Sequence, residues 1–206
     1  MDPKNISFIT IAPTGNWKYA SPGVLSIHSK QFSGPENKIG IQYWAIDRYN
    51  PSADPAFSYF QEATSYQIDT VPPGIDNYAN DDYIIVVTTQ GLNNTQVPQG
   101  ALYQFLIKIG AGPQLEMLEQ VNTFYACGFT GKIAYTLITT PGTVEQGLEF
   151  GIIPQSVYVT NNNGGNQEQY YGSTVYPGAT LIAQLVPTTF DNKTIYTPVL
   201  TSNQAV

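Results

Sequence analysis

The run Tyr83-Ile-Ile-Val-Val-Thr88 is the strongest constraint in the chain. Its β-branched residues lose rotamer freedom in a helix and pack well on a pleated strand. Apolar side chains point to both faces along it, the pattern of a central strand buried on both sides. Ile39–Tyr49 (IGIQYWAIDRY) has the same character, with Ile41, Tyr43 and Ala45 on one face and Gln42, Trp44 and Ile46 on the other. A strand with both faces partly covered is expected there.

Around these, Ile6–Ile11 and Val24–His28 read as short strands separated by the turn-rich PTGNWKYASPG, and Ser33–Asn37 reads as a further turn. The stretch Phe57–Tyr66 fits a helical turn or a strand, with strand expected over Glu62–Ile68. Val71–Asp82 has room for one short helix, since Pro72 and Pro73 suit a first turn. Pro98–Gly110 then changes period. Ala101, Leu102, Phe105, Leu106 and Ile109 form one apolar helical face, with Pro at the start and Gly at the end. Phe124–Cys127 and Ile133–Thr139 are read as returning strands, which gives an α+β, β-rich core with more strand than helix.

From Gly151 the texture changes to a strand-like Ser156–Thr160, an Asn/Gly/Gln tract over 161–169, and then TVYPGATLIAQLVPTTF and IYTPVL. No helix signal occurs there, and an added sheet or a partner-contacting arm is expected. The 206 residues thus divide into a core domain at 1–150 and a C-terminal β extension at 151–206.

Composition narrows the function. Charged residues make up only 11% of the chain, against about a quarter in ordinary soluble domains. The surface must therefore be built from uncharged polar groups and from the 15 tyrosines. Eight basic residues against fifteen acidic ones give a net charge of −7. Nucleic-acid binding needs cations to displace phosphate counterions, so DNA and RNA are excluded as partners. The single His28 and single Cys127 are too few for a Cys-rich zinc site or a paired-Cys redox centre, and no Ser or Asp motif lies near His28 to make a triad. The opening MDPKNISFITIAP lacks a basic stretch followed by a long apolar one, so no signal peptide is expected, and no run reaches transmembrane length.

Each candidate site has a plainer structural reading. Asp76, Asn80, Asp81 and Asp82 form an oxygen-rich loop, but Tyr78 stands where a calcium loop needs a ligand, and a polar turn accounts for them. Glu62, Asp69, Glu116, Glu119, Glu145 and Glu149 could supply a glycosidase pair but show no local pattern, and Glu116 with Glu119 reads as a solvated helical face. His28 lies in a strand pattern, and Cys127 sits in the apolar FYACGF as a structural thiol. Gly110–Pro113 ends a helix, whereas a phosphate cradle opens one. The sequons at Asn5, Asn93 and Asn192 are what an Asn- and Thr-rich chain produces by chance. Turn-borne aromatics among Asn, Gln and Asp are the groups that bind sugars or protein surfaces at low ordering cost. Trp17, Tyr19, Trp44, Tyr170 and Tyr171, with Tyr176, are the ligand-binding candidates; no catalytic residue, metal or cofactor is expected.

The pieces IGIQYWAID, YIIVVTTQ, ALYQFLIKIGA and FYACGFTGKIAYTLITTPG, with an echo in ISFITIAPTGNWKYA, occur in a familiar order. Together they resemble the interleukin-like inducer of epithelial–mesenchymal transition domain, also called the PANDER-like domain. The resemblance implies a compact β-sandwich-like domain with one or two helices. It also implies a non-catalytic role in secreted signalling proteins, in a carbohydrate-recognising stem module, or in surface and phage tail proteins. The chain departs from the secreted members in lacking disulfides and a signal peptide, and in its segment beyond Gly151.

These readings converge on a non-enzymatic virion protein, of a phage tail or its fibres. It is expected to be homo-oligomeric, to contact other structural proteins and to contact a host-surface glycan. Low-charge β surfaces with exposed aromatics need partners. The alternative is a lectin-like module of an extracellular or cell-surface protein, and the third reading is a hydrolase.

Overall fold

The computed structural model describes residues 3–14, 20–64, 68–125, 132–143, 146–152 and 178–205. Among them are two five-stranded antiparallel sheets. The first has the order β10-β9-β1-β2-β3, with β1 at Ile6–Ala12, β2 at Val24–Ile27, β3 at Lys30–Ser33, β9 at Ala179–Phe190 and β10 at Lys193–Ala205. The second has the order β5-β4-β6-β7-β8, with β4 at Gly40–Asp47, β5 at Phe57–Glu62, β6 at Tyr83–Gln90, β7 at Ala134–Thr139 and β8 at Leu148–Ile152. Helices α1 (Gly100–Ile109) and α2 (Pro113–Tyr125) complete the regular structure of the described residues, with 3-10 turns at Ile75–Tyr78 and Asn94–Gln96.

The second sheet is covered on both faces, which is why its central strands carry apolar residues at successive positions. On one face Ile41, Tyr43, Ile85, Val87, Tyr135 and Leu137 pack beneath the helices, against Leu102, Phe105, Leu106, Leu115 and Leu118. On the other face Trp44, Ile46, Ile84, Val86 and Ile138 meet Phe8, Leu25, Ile27, Leu181, Ala183 and Leu185 of the first sheet. The β-rich α+β sandwich expected from the sequence is what the chain forms.

Local signals explain the elements. Gly110 ends α1 at φ 117, a left-handed conformation that favours glycine, and its N–H bonds back to the carbonyls of Leu106 and Ile107. Pro113 then opens α2, and Glu149 of β8 accepts from the first-turn N–H of Gln114 at 2.9 Å, which places a carboxylate at the positive end of the helix. Asp191 and Asn192, at φ 49 and 61, form the two-residue turn between β9 and β10.

Two expectations are corrected, and the C-terminal strands take a definite place. The strand after Pro55 is Phe57–Glu62, paired along its length with Gly40–Ala45, and not Glu62–Ile68. Phe124 and Tyr125 close α2 instead of starting a strand, because Leu115 and Leu118 seat that helix in the core and it runs on through its aromatic end. The C-terminal strands are integral to the sandwich. β9 pairs with β1 from Ile6↔Leu185 to Ala12↔Ala179, so it lies inside the first sheet and contributes to the shared core. Ser156–Thr160 and the 161–169 tract lie outside the described residues.

Polar groups join the sheets where they meet. Gln90 is buried; its Oε1 accepts from Gly23 N–H at 2.9 Å and its Nε2 donates to the carbonyls of Pro35 and Lys38 at 2.6 and 2.7 Å. The hydroxyls of Thr10 and Thr136 share a 2.7 Å hydrogen bond from one sheet to the other. Replacing Gln90 with Met keeps the volume and strands three backbone groups. Gln90→Met should lower stability by about 2–4 kcal/mol in urea unfolding.

Burial pushes the hydroxyls of Tyr43 and Tyr135 well above the ordinary value of 10.0, with the Glu149 carboxylate adding to the effect at Tyr135. Below pH 10 both states hold these protons. Above it the unfolded chain ionises while the folded core does not, so stability falls as pH rises. The urea midpoint should drop between pH 8 and pH 11, and the drop should be smaller in Tyr135→Phe than in the parent chain.

Candidate functional site

At one end of the sandwich, the ends of β4 and β6 meet the outer part of the β9–β10 hairpin. Arg48, just past β4, makes the joint. Its N–H donates to the Asp82 carbonyl at 3.0 Å, and its carbonyl accepts from Tyr196 N–H at 3.1 Å. Its guanidinium donates to the carbonyls of Tyr196 (3.0 Å) and Asp81 (2.6 Å) and to the Thr197 hydroxyl (3.2 Å). A planar fork with divergent donors suits this three-way contact, and a lysine ammonium does not reproduce it.

The residues beside Arg48 form an open cavity of about 540 Å³ lined by Asp47, Tyr49, Asp82, Tyr83 and Lys193. Tyr49 is 45% exposed. It is held from two sides: its backbone N–H donates to Asp47 Oδ1 at 2.8 Å, and its hydroxyl donates to Asp82 Oδ1 at 3.1 Å. That hydrogen bond to Asp82 is the largest cause raising the Tyr49 hydroxyl above its ordinary value, with the charges of Asp82 and Asp81 adding to it and that of Arg48 opposing. Asn80 fixes the loop, its Oδ1 accepting from Asp82 N–H at 3.0 Å. Behind the cavity, Tyr83 meets Tyr78 edge to face with ring centres 5.0 Å apart. On the far side of Arg48, a second recess of about 330 Å³ is lined by Thr140, Thr143, Gln146, Leu148 and Thr197 among others.

Of the ligand-binding candidates read from the sequence, Trp44 lies within the described residues and away from this cavity. Trp44 is 1% exposed, locked between the sheets with Phe8 and Leu181, so its ring offers no face to a ligand. Trp17, Tyr19, Tyr170, Tyr171 and Tyr176 lie outside the described residues, as do Cys127 and Glu145. His28 is exposed at the first position of the β2–β3 turn, at φ 53. Glu62 pairs with Lys38 at 2.9 Å, and Glu149 accepts both the Tyr135 hydroxyl at 2.8 Å and the α2 N-terminus, so both serve the fold. Among the described residues, no three His, Cys, Asp or Glu side chains gather as a metal site. Tyr49 is hidden in the sequence because it closes a strand pattern; the polar Asp47-Arg48-Tyr49 before a proline loop is its local signal.

Comparison of the chain with protein-family models, curated proteins and solved structures finds no match.

The Arg48 joint has a direct test. Arg48→Ala removes three charge-assisted donors and should cost about 1–3 kcal/mol of stability, and Arg48→Lys should recover less than half of that in urea unfolding.

Proposed function

We propose that this chain is a non-enzymatic structural and binding protein, a virion component of the tail or tail-fibre kind built on a PANDER-like domain, that assembles with copies of itself. The observation that carries the reading is the outer edge of β10. Among the described residues this strand pairs with β9 on one side and ends the sheet on the other. From Thr194 to Ala205 it carries no charged residue. Val199 and Leu200 are 49% and 43% exposed, and the residues from Ser202 to Ala205 are exposed as well. An edge strand presents unpaired backbone donors and acceptors, a template for another strand.

A second copy is the occupant that the charge favours. The chain carries −7 overall, and its own β10 edge is where two copies meet without opposing like charges. Arg48 already occupies the edge at Tyr196, Pro198 lacks an N–H, and the register shifts between Leu200 and Ser202. These breaks shorten the free edge and favour a closed twofold pair over open-ended stacking.

Light scattering of the purified chain should give twice the mass of one copy. The double substitution Val199→Lys and Leu200→Lys should give the single-copy mass with an unchanged circular dichroism spectrum. A monomeric parent chain at tens of micromolar, or a double variant that still pairs, would contradict the proposal.

The lectin-like reading has one observation in its favour, the cavity beside Tyr49.

A further inference from the structure

We infer that the cavity lined by Asp47, Tyr49, Asp82, Tyr83 and Lys193 binds a neutral sugar. The inference rests on the binding part of the function proposed above and not on self-association.

Three properties of the cavity carry it. Its volume of about 540 Å³ falls within the range of small-ligand sites, about 300–1,000 Å³. Its most exposed ring, Tyr49, is already fixed by the hydrogen bonds from its N–H to Asp47 and from its hydroxyl to Asp82, so a ligand stacking on it orders little. An amphipathic ring of this kind presents an apolar face to the C–H side of a pyranose.

The polar groups around that ring are of both kinds. Asp47 and Asp82 each use Oδ1 on Tyr49, and an ionised carboxylate has a second oxygen able to accept from a ligand hydroxyl. Lys193, brought to the lining by the hairpin, has an ammonium with three donors and no acceptor. Hydroxyl groups, which both donate and accept, match such a mixture. An acidic sugar would bring a third negative charge against two carboxylates. A cationic group would pair with the carboxylates but could not accept from Lys193. A neutral polyol meets neither penalty.

The Arg48 joint sets the geometry, because it holds Tyr196 and Thr197 of β10 against the loops that carry Tyr49 and Asp82. Lys193 opens the same strand, paired with Phe190 across the hairpin.

The test is the full chain on an array of immobilised neutral, amino and acidic oligosaccharides, followed by titration calorimetry with the strongest ligand. Retention of neutral oligosaccharides is expected, with Tyr49→Ala and Asp82→Asn each weakening binding at least tenfold while the circular dichroism spectrum is kept. Tyr49→Phe keeps the ring, loses its anchor to Asp82, and should weaken binding less than Tyr49→Ala. An array without neutral ligands, a preference for acidic ones, or binding unmoved by both Tyr49→Ala and Asp82→Asn would overturn the inference. The Val199→Lys, Leu200→Lys variant separates the two proposals: it should lose self-association and still bind the sugar.

Discussion

Burial of the β4–β6–β7 sheet on both faces is the constraint on which the remaining structure depends. Its strands need apolar cover above and below, supplied by α1 and α2 on one side and by the β9-β1-β2 strands on the other. Each buried apolar side chain stabilises the fold by about 1.5–3 kcal/mol, and the central strands Gly40–Asp47 and Tyr83–Gln90 contribute them from alternating faces. The cost is polar: every backbone group in the middle layer must be paired within the protein. Polar side chains buried with it must be paired too: Gln90 binds the backbone of Gly23, Pro35 and Lys38 where loops and sheets converge, and the Thr10 and Thr136 hydroxyls bond to each other.

The same arrangement explains where a site can form. A sheet covered on both faces exposes only its ends and edges, so functional groups collect at strand termini. The ends of β4 and β6 carry Asp47, Arg48, Tyr49, Asp82 and Tyr83 together, since the two strands pair as far as Asp47↔Tyr83. The β9–β10 hairpin extends past the last β1 partner, Leu185, and its outer part brings Lys193 and Tyr196 to that end. A charged fraction of 11% follows from this economy: much of the chain is interior, and its β10 edge is proposed to lie at a contact.

How much of this was legible follows from the range of the forces involved. The run Tyr83–Thr88 and the alternation of Ile41 and Tyr43 against Trp44 and Ile46 state double burial directly, and the i, i+4 apolar face of Leu102, Phe105, Leu106 and Ile109 states a helix. Helix α2 was harder, because Phe124 and Tyr125 favour strands locally and only tertiary seating of Leu115 and Leu118 decides for helix. The pairing of β5 depends on its register with β4, which lies outside any local window. The place of β9 was illegible for the same reason: a strand about 170 residues away from β1 in sequence leaves no local trace of its partner. At Trp44 the largest aromatic of the strand serves packing, while the smaller Tyr49 just past its end reaches solvent, a difference of depth that local sequence does not encode.

Hydrogen exchange resolved to single amides tests the central claim most directly, that the C-terminal hairpin is one cooperative unit with the doubly covered sheet. The account predicts that amides of Leu181–Leu185 exchange only by global unfolding, with the same protection free energy as Ile84–Val87, and that both fall together in Gln90→Met. Fast exchange over Leu181–Leu185 alongside full protection of Ile84–Val87 would show the C-terminal strands to be an appended element and would contradict it.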